Sequence, residues 1–435
     1  TLKPDCADFP VVLRGYFAWK FGLPFAYRPC TQGTQDRAPT CGDPGSHLRF
    51  AEKATRTHAF EKFIRWRAGG ATHSSTARTA LADPDSDLYP VPLTRDALRA
   101  GTVYADPYGH ILVIQKWIAQ TVTTEEGPGP GILYAVDAQP DGTVGRRRFW
   151  QGAFLFPLDG AVRGAGFKRY RPVRMRRRPA SEVADIEAKA LAGEPPLEVV
   201  RWQVKPFTNA QVTADPAYGN YSVEQGSLTN AAFYERMDAV INPEPMTPEV
   251  ALSGVLDALT EEVKRRVSAV NNAAEWRSQQ PISMPEGAKI FQTTGGWEDY
   301  ATPSRDMRLL IAMDAVRSFP DRITAYPERF RLKGEGPAAA RKRVLALLRK
   351  ETEAREFAYK RSDGSVQGLT VADVLARAEA FEMTYNPNDC PEIRWGAAEG
   401  SAERSTCDRE APAEQRRRMA HYREWFHDRR RPVED

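Results

Sequence analysis

One thiol, one imidazole and one carboxylate of this 435-residue chain stand in an order that could do chemistry together: Cys6, His110 and Asp137. A cysteine at a helix N-terminus meets free backbone N–H groups and the positive end of the helix dipole, and both favour its thiolate. Attack on a carbonyl also needs a base that later protonates the leaving amine, which an imidazole within hydrogen-bond reach supplies. A third polar group then fixes the imidazole tautomer and steadies its charged form. Asp137 is the candidate for that role, with Gln139 the alternative if the strand register differs. The backbone N–H of Cys6 would contribute to an oxyanion hole.

These residues need elements to hold them. Apolar residues at 9, 12/13, 16/17 and 20 repeat with helical spacing, with Asp5 or Cys6 as cap and Gly22 and Pro24 as stop. Pro10 belongs in a first turn, which pins Cys6 to the N-terminus of that helix. A second helix is expected over Leu48 to Arg67 and a loop over 70–100. Thr102–Tyr104, His110–Trp117 and Gly131–Ala138 are β-rich, and the turn residues Glu126 to Pro130 make the last two antiparallel neighbours. His110 would open one strand and Asp137 lie near the end of the next. Tyr108 and Trp117 would either line a cleft or pack in the core.

Pro4-Asp5-Cys6-Ala7-Asp8-Phe9 before an amphipathic helix resembles the opening of NlpC-type cell-wall cysteine peptidases of the papain-like superfamily. Gly101-Thr102-Val103-Tyr104 and Gly109-His110-Ile111-Leu112-Val113 resemble that family's Gly-Asp and Gly-His strands, with Gly-Thr in place of Gly-Asp. Val136-Asp137-Ala138 falls where the family places its third polar residue, usually His. The order Cys, His, Asp also resembles transglutaminase-like proteins, which share the papain-like core. The resemblance covers roughly residues 1–156. It implies an α+β fold, a papain-like core of one N-terminal helix on a small antiparallel sheet, with Cys6 as nucleophile, His110 as base and Asp137 as orienting group. It further implies amide hydrolysis through a thioester, with a peptide or peptidoglycan substrate. Acyl transfer is the alternative, and a non-catalytic envelope-binding protein on a degenerate core is a third reading.

Five cysteines are present. Cys30 and Cys41 lie in one polar, Pro- and Gly-containing stretch and Cys390 and Cys407 in another, so each pair is expected to close a surface loop as a disulfide, leaving Cys6 free. Disulfides point to a periplasmic or secreted protein. The start at Thr1, without an apolar leader, is expected of a chain from which a secretion signal or other residues have been removed.

Charge is uneven. Between Arg146 and Arg178 there are eleven Arg or Lys residues and one acid, Asp159, whereas the whole chain carries only +4. That stretch would attract an anionic envelope polymer, or else pair with carboxylates of a neighbouring domain. No zinc-finger spacing, helix-turn-helix signature or aromatic platform indicates nucleic acid. No apolar run approaches the ~20 residues that span a bilayer. Nucleotide-binding glycine loops, His-Glu-x-x-His, Gly-x-Ser-x-Gly and Cys-x-x-Cys are missing, so neither cofactor nor metal is expected. His421 and His427 read as exposed residues of a polar helix.

Beyond about residue 180 the pattern turns helical. Helices are expected from Thr247-Pro248, with the stripe Leu252, Leu256, Leu259, Val263, Val267 and Val270 as core. Others are expected from Thr302-Pro303 to about Val316, from Pro337 to about Lys360, after Thr370 with Asp373, and over Ala413 to Arg430. The organisation expected is a catalytic domain over 1–175 and a helical accessory domain over 176–435 that could cover the cleft. The loop Thr293-Thr294-Gly295-Gly296-Trp297-Glu298-Asp299-Tyr300 either approaches that cleft or forms a turn with a packing Trp.

Overall fold

Helix α1 (Asp8–Phe21) begins where Asp5 provides a cap. The Asp5 carboxylate accepts the N–H groups of Ala7 (2.8 Å) and Asp8 (3.0 Å), and its carbonyl accepts that of Phe9 (3.0 Å). Two otherwise unpaired donors of the first turn are thereby satisfied. Pro10 has no N–H to give Cys6, so the Cys6 carbonyl takes no helical bond from it. Gly22, at φ 70°, ends the helix with left-handed backbone. Helix α2 (Arg56–Ala71) packs beside α1, its Thr55 cap accepting from His58 N–H. It starts later than the Leu48 expected from the sequence, and residues 49 and 51–54 lie outside the described residues.

The computed structural model describes residues 4–33, 37–48, 50, 55–72, 74–124, 127–139, 144–157, 164–189, 200–215, 217–218, 220–276, 280–291 and 295–432. Helix and sheet are mixed throughout. Six strands form one antiparallel sheet: β1 (Leu88–Pro90), β2 (Val103–Ala105), β3 (Ile111–Ile118), β4 (Ile132–Ala138), β5 (Val144–Arg148) and β6 (Gly166–Tyr170). Their spatial order is β1-β6-β2-β3-β4-β5. Alternation along the strands gives the sheet two apolar faces. Val103, Ala105, Ile111 and Val113 meet Phe9 and Leu13 of α1. Tyr104, Leu112 and Ile114 meet Phe154, Phe167 and helix α3 (Asn230–Ile241) through Phe233, Tyr234 and Met237.

The sheet differs from the sequence expectation at two strands. β1 falls in the region read as loop, and β6 falls inside the basic stretch. Lys168 of β6 is buried and donates to the carbonyls of Ala77 and Thr79, both at 2.7 Å, so its charge is satisfied internally rather than displayed. Arg171 is likewise buried against the carbonyls of Ser86 and Asp83. Trp117 donates Nε1–H to Leu98 O (2.6 Å) and packs on the sheet core, not in a cleft.

A second core joins α4 (Pro248–Glu275), α5 (Gly296–Tyr300), α6 (Pro303–Ala325), α7 (Pro337–Ala354), α8 (Val371–Ala376) and α9 (Ala413–His427). Thr247 caps α4 with Pro248 in its first turn, and Thr370 and Asp373 form a reciprocal capping box on α8. Helix α6 continues past Val316 with Pro320 inside it. Helix α7 stops at Ala354 rather than near Lys360. Glu356–Lys360 is instead a strand paired with Val366–Thr370, which places Tyr359 under the Trp395 ring. The apolar alternation of Phe357 and Tyr359 favours strand over helix there.

The two cores part between Ile241 and Leu252, later than the boundary expected near residue 175. The reason is packing: Val173–Arg177 pairs with Trp202–Pro206, and α3 covers the second face of the sheet. Ion pairs join the parts, including Arg148–Glu261 (2.7 Å), Arg322–Glu235 (2.9 Å) and Arg308–Asp106 (2.5 Å). Of the two readings of the basic stretch, pairing with carboxylates of a neighbouring part is the one observed at Arg147 and Arg148. Cys30 is bonded to Cys41 and Cys390 to Cys407, and Cys6 is free. No helix among the described residues is long and apolar enough to cross a membrane.

Candidate active site

The turn between β2 and β3 presents His110. Asp106 Oδ1 accepts the Tyr108 N–H (2.7 Å), Gly109 N–H bonds the Asp106 carbonyl, and the Asp106 N–H bonds the His110 carbonyl. Gly109 holds φ 93°, a backbone region that side chains disfavour, so the Gly-His pair is what closes this turn and starts β3 at Ile111. Asp137 lies one position from the end of β4, which pairs with β3 in the register Val113↔Val136. That register brings the two side chains together, with His110 Nε2 2.8 Å from Asp137 Oδ2.

Asp137 is fully buried. Besides the imidazole, its Oδ2 accepts from Gln139 Nε2 and Arg147 Nε, each at 2.9 Å. Burial alone would raise its pKa. The hydrogen bond from His110 and the charge of Arg147 outweigh burial and hold the carboxyl well below the usual carboxylate range. Gly145 faces Asp137 across the β4–β5 pair, where a Cβ would come within 2.9 Å of Oδ1. Gln139, the alternative orienting residue, supports Asp137 instead of replacing it.

Cys6 sits in the turn ahead of α1, at the positive end of the helix. The backbone N–H of Ile111, the residue after His110, favours its thiolate, and α1 packs against the start of β3 through Phe9 and Leu13. The thiol is nevertheless pushed up to about 12, first by burial and then by the carboxylates of Asp5, Asp137 and Glu298; the Ile111 N–H opposes this. Helix-dipole stabilisation of a thiolate, expected from the sequence, is thus overridden in this arrangement. Among the described residues the sulfur makes no hydrogen bond to the imidazole.

The helical part contributes charge near the site. Glu298 of α5 lies near Cys6 and Asp5, and its carboxyl is raised to about 7 by burial and by Asp5. Trp297 beside it is buried and donates Nε1–H to Ile290 O (2.9 Å). The described part of the stretch is helix α5, which packs Trp297 in the core and places Glu298 near the site; Thr293 and Thr294 lie outside the described residues. Arg431 donates to the Tyr108 carbonyl (3.0 Å) with its guanidinium over the Tyr108 ring, and Arg308 pairs with Asp106 in the same turn. Tyr108 is thus clamped by the C-terminal segment. Behind the N-terminus of α1 a pocket is lined by Ala7, Tyr27, Arg28, Asp87, Val103 and Ile111 among others.

Sequence reasoning gave Arg147 no role at the site, and named Glu298 only within the stretch that could approach the cleft. Strand alternation could have found Arg147, two residues from the position opposite Asp137. Nothing local marks the effect of the Glu298 carboxyl on Cys6, which is a tertiary one. Among the described residues one group has metal-ligand spacing, Cys390, Glu392 and Cys407, and its sulfurs are bonded to each other. Set against protein-family models, curated proteins and solved structures, the chain matches none of them.

Proposed function

We propose that this protein is a papain-like cysteine hydrolase that cleaves an amide bond through a thioester, with a peptide, and in particular a peptidoglycan peptide, as its substrate class. The observation that carries the reading is the His110 imidazole held through Nε2 by a buried carboxylate, at the start of the strand against which the Cys6-bearing N-terminus of α1 packs. With Nε2–H directed to Asp137, Nδ1 is the basic nitrogen. It takes the Cys6 proton as sulfur attacks the carbonyl carbon, then gives it to the leaving amine. Water, deprotonated by the same nitrogen, releases the acid and restores the thiol. Asp137 steadies the imidazolium in both steps, and the Cys6 N–H faces the oxyanion. The raised proton affinity of the thiol would keep the enzyme latent until a change at the site, such as movement of the Glu298 segment, lowers it. The two disulfides support an oxidising compartment, periplasmic or secreted.

The carboxylate as third member equally favours a transglutaminase-like acyl transferase, in which an amine replaces water. The high proton affinity of the buried thiol favours a third reading, an envelope-binding protein on a degenerate core. Iodoacetamide labelling across about pH 4 to 9, read by peptide mass spectrometry, separates the enzymes from the binding protein. A thiol enzyme labels at Cys6 once α5 is loosened by Trp297→Ala, with a profile that moves upward in His110→Ala. Cys6 that stays inert in the loosened protein refutes the catalytic reading. Product analysis with an added primary amine then decides between hydrolysis and transfer.

A further inference from the structure

The far end of the helix that carries Cys6 has an exposed apolar tip. Tyr16, Phe17, Phe21 and Leu23 are 42%, 49%, 67% and 58% exposed, although the opposite side of α1 is buried through Val11, Gly15 and Ala18. Phe17 and Phe21 stack on one another, one turn apart. Exposure this high at a helix end marks a projecting tip and not a groove. Isolated surface apolar residues need no explanation, but a contiguous aromatic cluster does.

Cations accompany the cluster. Lys20 lies over the Tyr16 ring, and Arg56 of α2 reaches across to the Trp19 carbonyl at the end of α1. The described, exposed charged residues of α2 are Arg56, Lys62 and Arg65 against Glu61, and Glu61 is paired with Arg65. Aromatic and leucine side chains on a projecting tip, with lysine and arginine beside them, are the composition that seats in the headgroup region of a bilayer. Cations there add attraction to anionic lipids.

We propose that the α1–α2 tip is a membrane-docking surface for anionic lipid, with Phe21 and Leu23 entering the interface and Lys20 and Arg56 meeting headgroups. A 14-residue helix is about 21 Å long. Docking by its C-terminal end would hold the opposite end, and Cys6, about that far along the helix from the lipid. This inference does not depend on whether Cys6 is catalytic.

The test is flotation of the full chain with vesicles of phosphatidylglycerol and phosphatidylcholine in equal parts, and with phosphatidylcholine alone. The wild type is expected to float with the anionic vesicles and at least about fivefold less with the zwitterionic ones. The double variant Phe21→Ser with Leu23→Ser should lose about tenfold or more in partitioning, and Lys20→Glu should remove much of the preference for anionic lipid. Circular dichroism shows that each variant is folded. Absence of flotation with anionic vesicles, or equal flotation of the folded double variant, overturns the proposal. So does self-association of the lipid-free chain that the double variant abolishes, since a second copy is then the occupant.

Discussion

Replacing Asp137 with asparagine isolates the carboxylate charge at the site without changing its shape. Asparagine can still accept at the Oδ2 position, where His110, Gln139 and Arg147 converge at 2.8–2.9 Å. What it removes is the negative charge that answers Arg147, leaving that guanidinium with Glu262 at 3.5 Å. Weakening one charge-assisted bond while keeping a second, longer partner should cost about 2–3 kcal/mol at neutral pH. The pH dependence has a definite sign. The pKa of Asp137 is depressed in the folded state, so its stabilisation is present above the unfolded value near 4 and is lost as pH falls towards the folded one. Each pH unit in that window removes about 1.4 kcal/mol from the wild type and nothing from the variant. Urea unfolding followed by circular dichroism at pH 7 and pH 3 should therefore show a gap about 1 kcal/mol smaller at the lower pH. Equal stability at pH 7, or a gap that does not narrow in acid, would refute the assignment of Asp137 as a buried, ionised partner.

Further outcomes follow from the site and the cores. Because the Cys6 thiol stands near 12 against 9 for a free one, its thiolate is about a thousandfold rarer, and iodoacetamide should label the native chain far more slowly than a cysteine peptide. Glu298, raised to about 7 from 4.5, ionises as pH rises through that interval and sets a further negative charge near the thiol, so labelling should climb less steeply there than an isolated thiol's titration. Glu298→Gln should restore the full climb, as rate profiles of the two proteins would reveal. Substituting both Cys390 and Cys407 with serine should lower stability by about 3 kcal/mol, the entropy of closing that loop, measured by urea unfolding. Arg266→Ala leaves Asp306 buried without its bidentate partner and should cost about 3–5 kcal/mol in the same assay.

Local signals in the sequence located the elements that matter most. Helical spacing and the Asp5 cap placed α1, and β-rich runs bounded by Gly109 and Pro130 placed β3 and β4 as antiparallel neighbours, which is what joins His110 to Asp137. Loop cysteines in polar surroundings paired as their setting indicated. Other features depend on partners far along the chain. Lys168 and Arg171 read as displayed charge because only tertiary structure supplies the carbonyls that bury them. β1 is three residues long and becomes a strand only by pairing with β6. Glu356–Lys360 follows a strong helical run and was absorbed into it, although its alternation favours a strand. Glu298 adds its charge near Cys6 from nearly three hundred residues along the chain, an effect that the stretch around it, readable as one approaching the cleft, does not itself reveal. The juxtaposition of His110 and Asp137 was thus legible, whereas the burial and charge around Cys6 were not.

The central claim is that Cys6 is a nucleophile served by His110. Its most direct test is acyl trapping: the Trp297→Ala protein, with α5 loosened from its core, is mixed with p-nitrophenyl acetate, quenched in acid and mapped by mass spectrometry. The account predicts an acetyl group on Cys6, formed much more slowly when His110 is also replaced by alanine. Release of p-nitrophenol without acetyl-Cys6, or acetylation that is indifferent to His110, would contradict it.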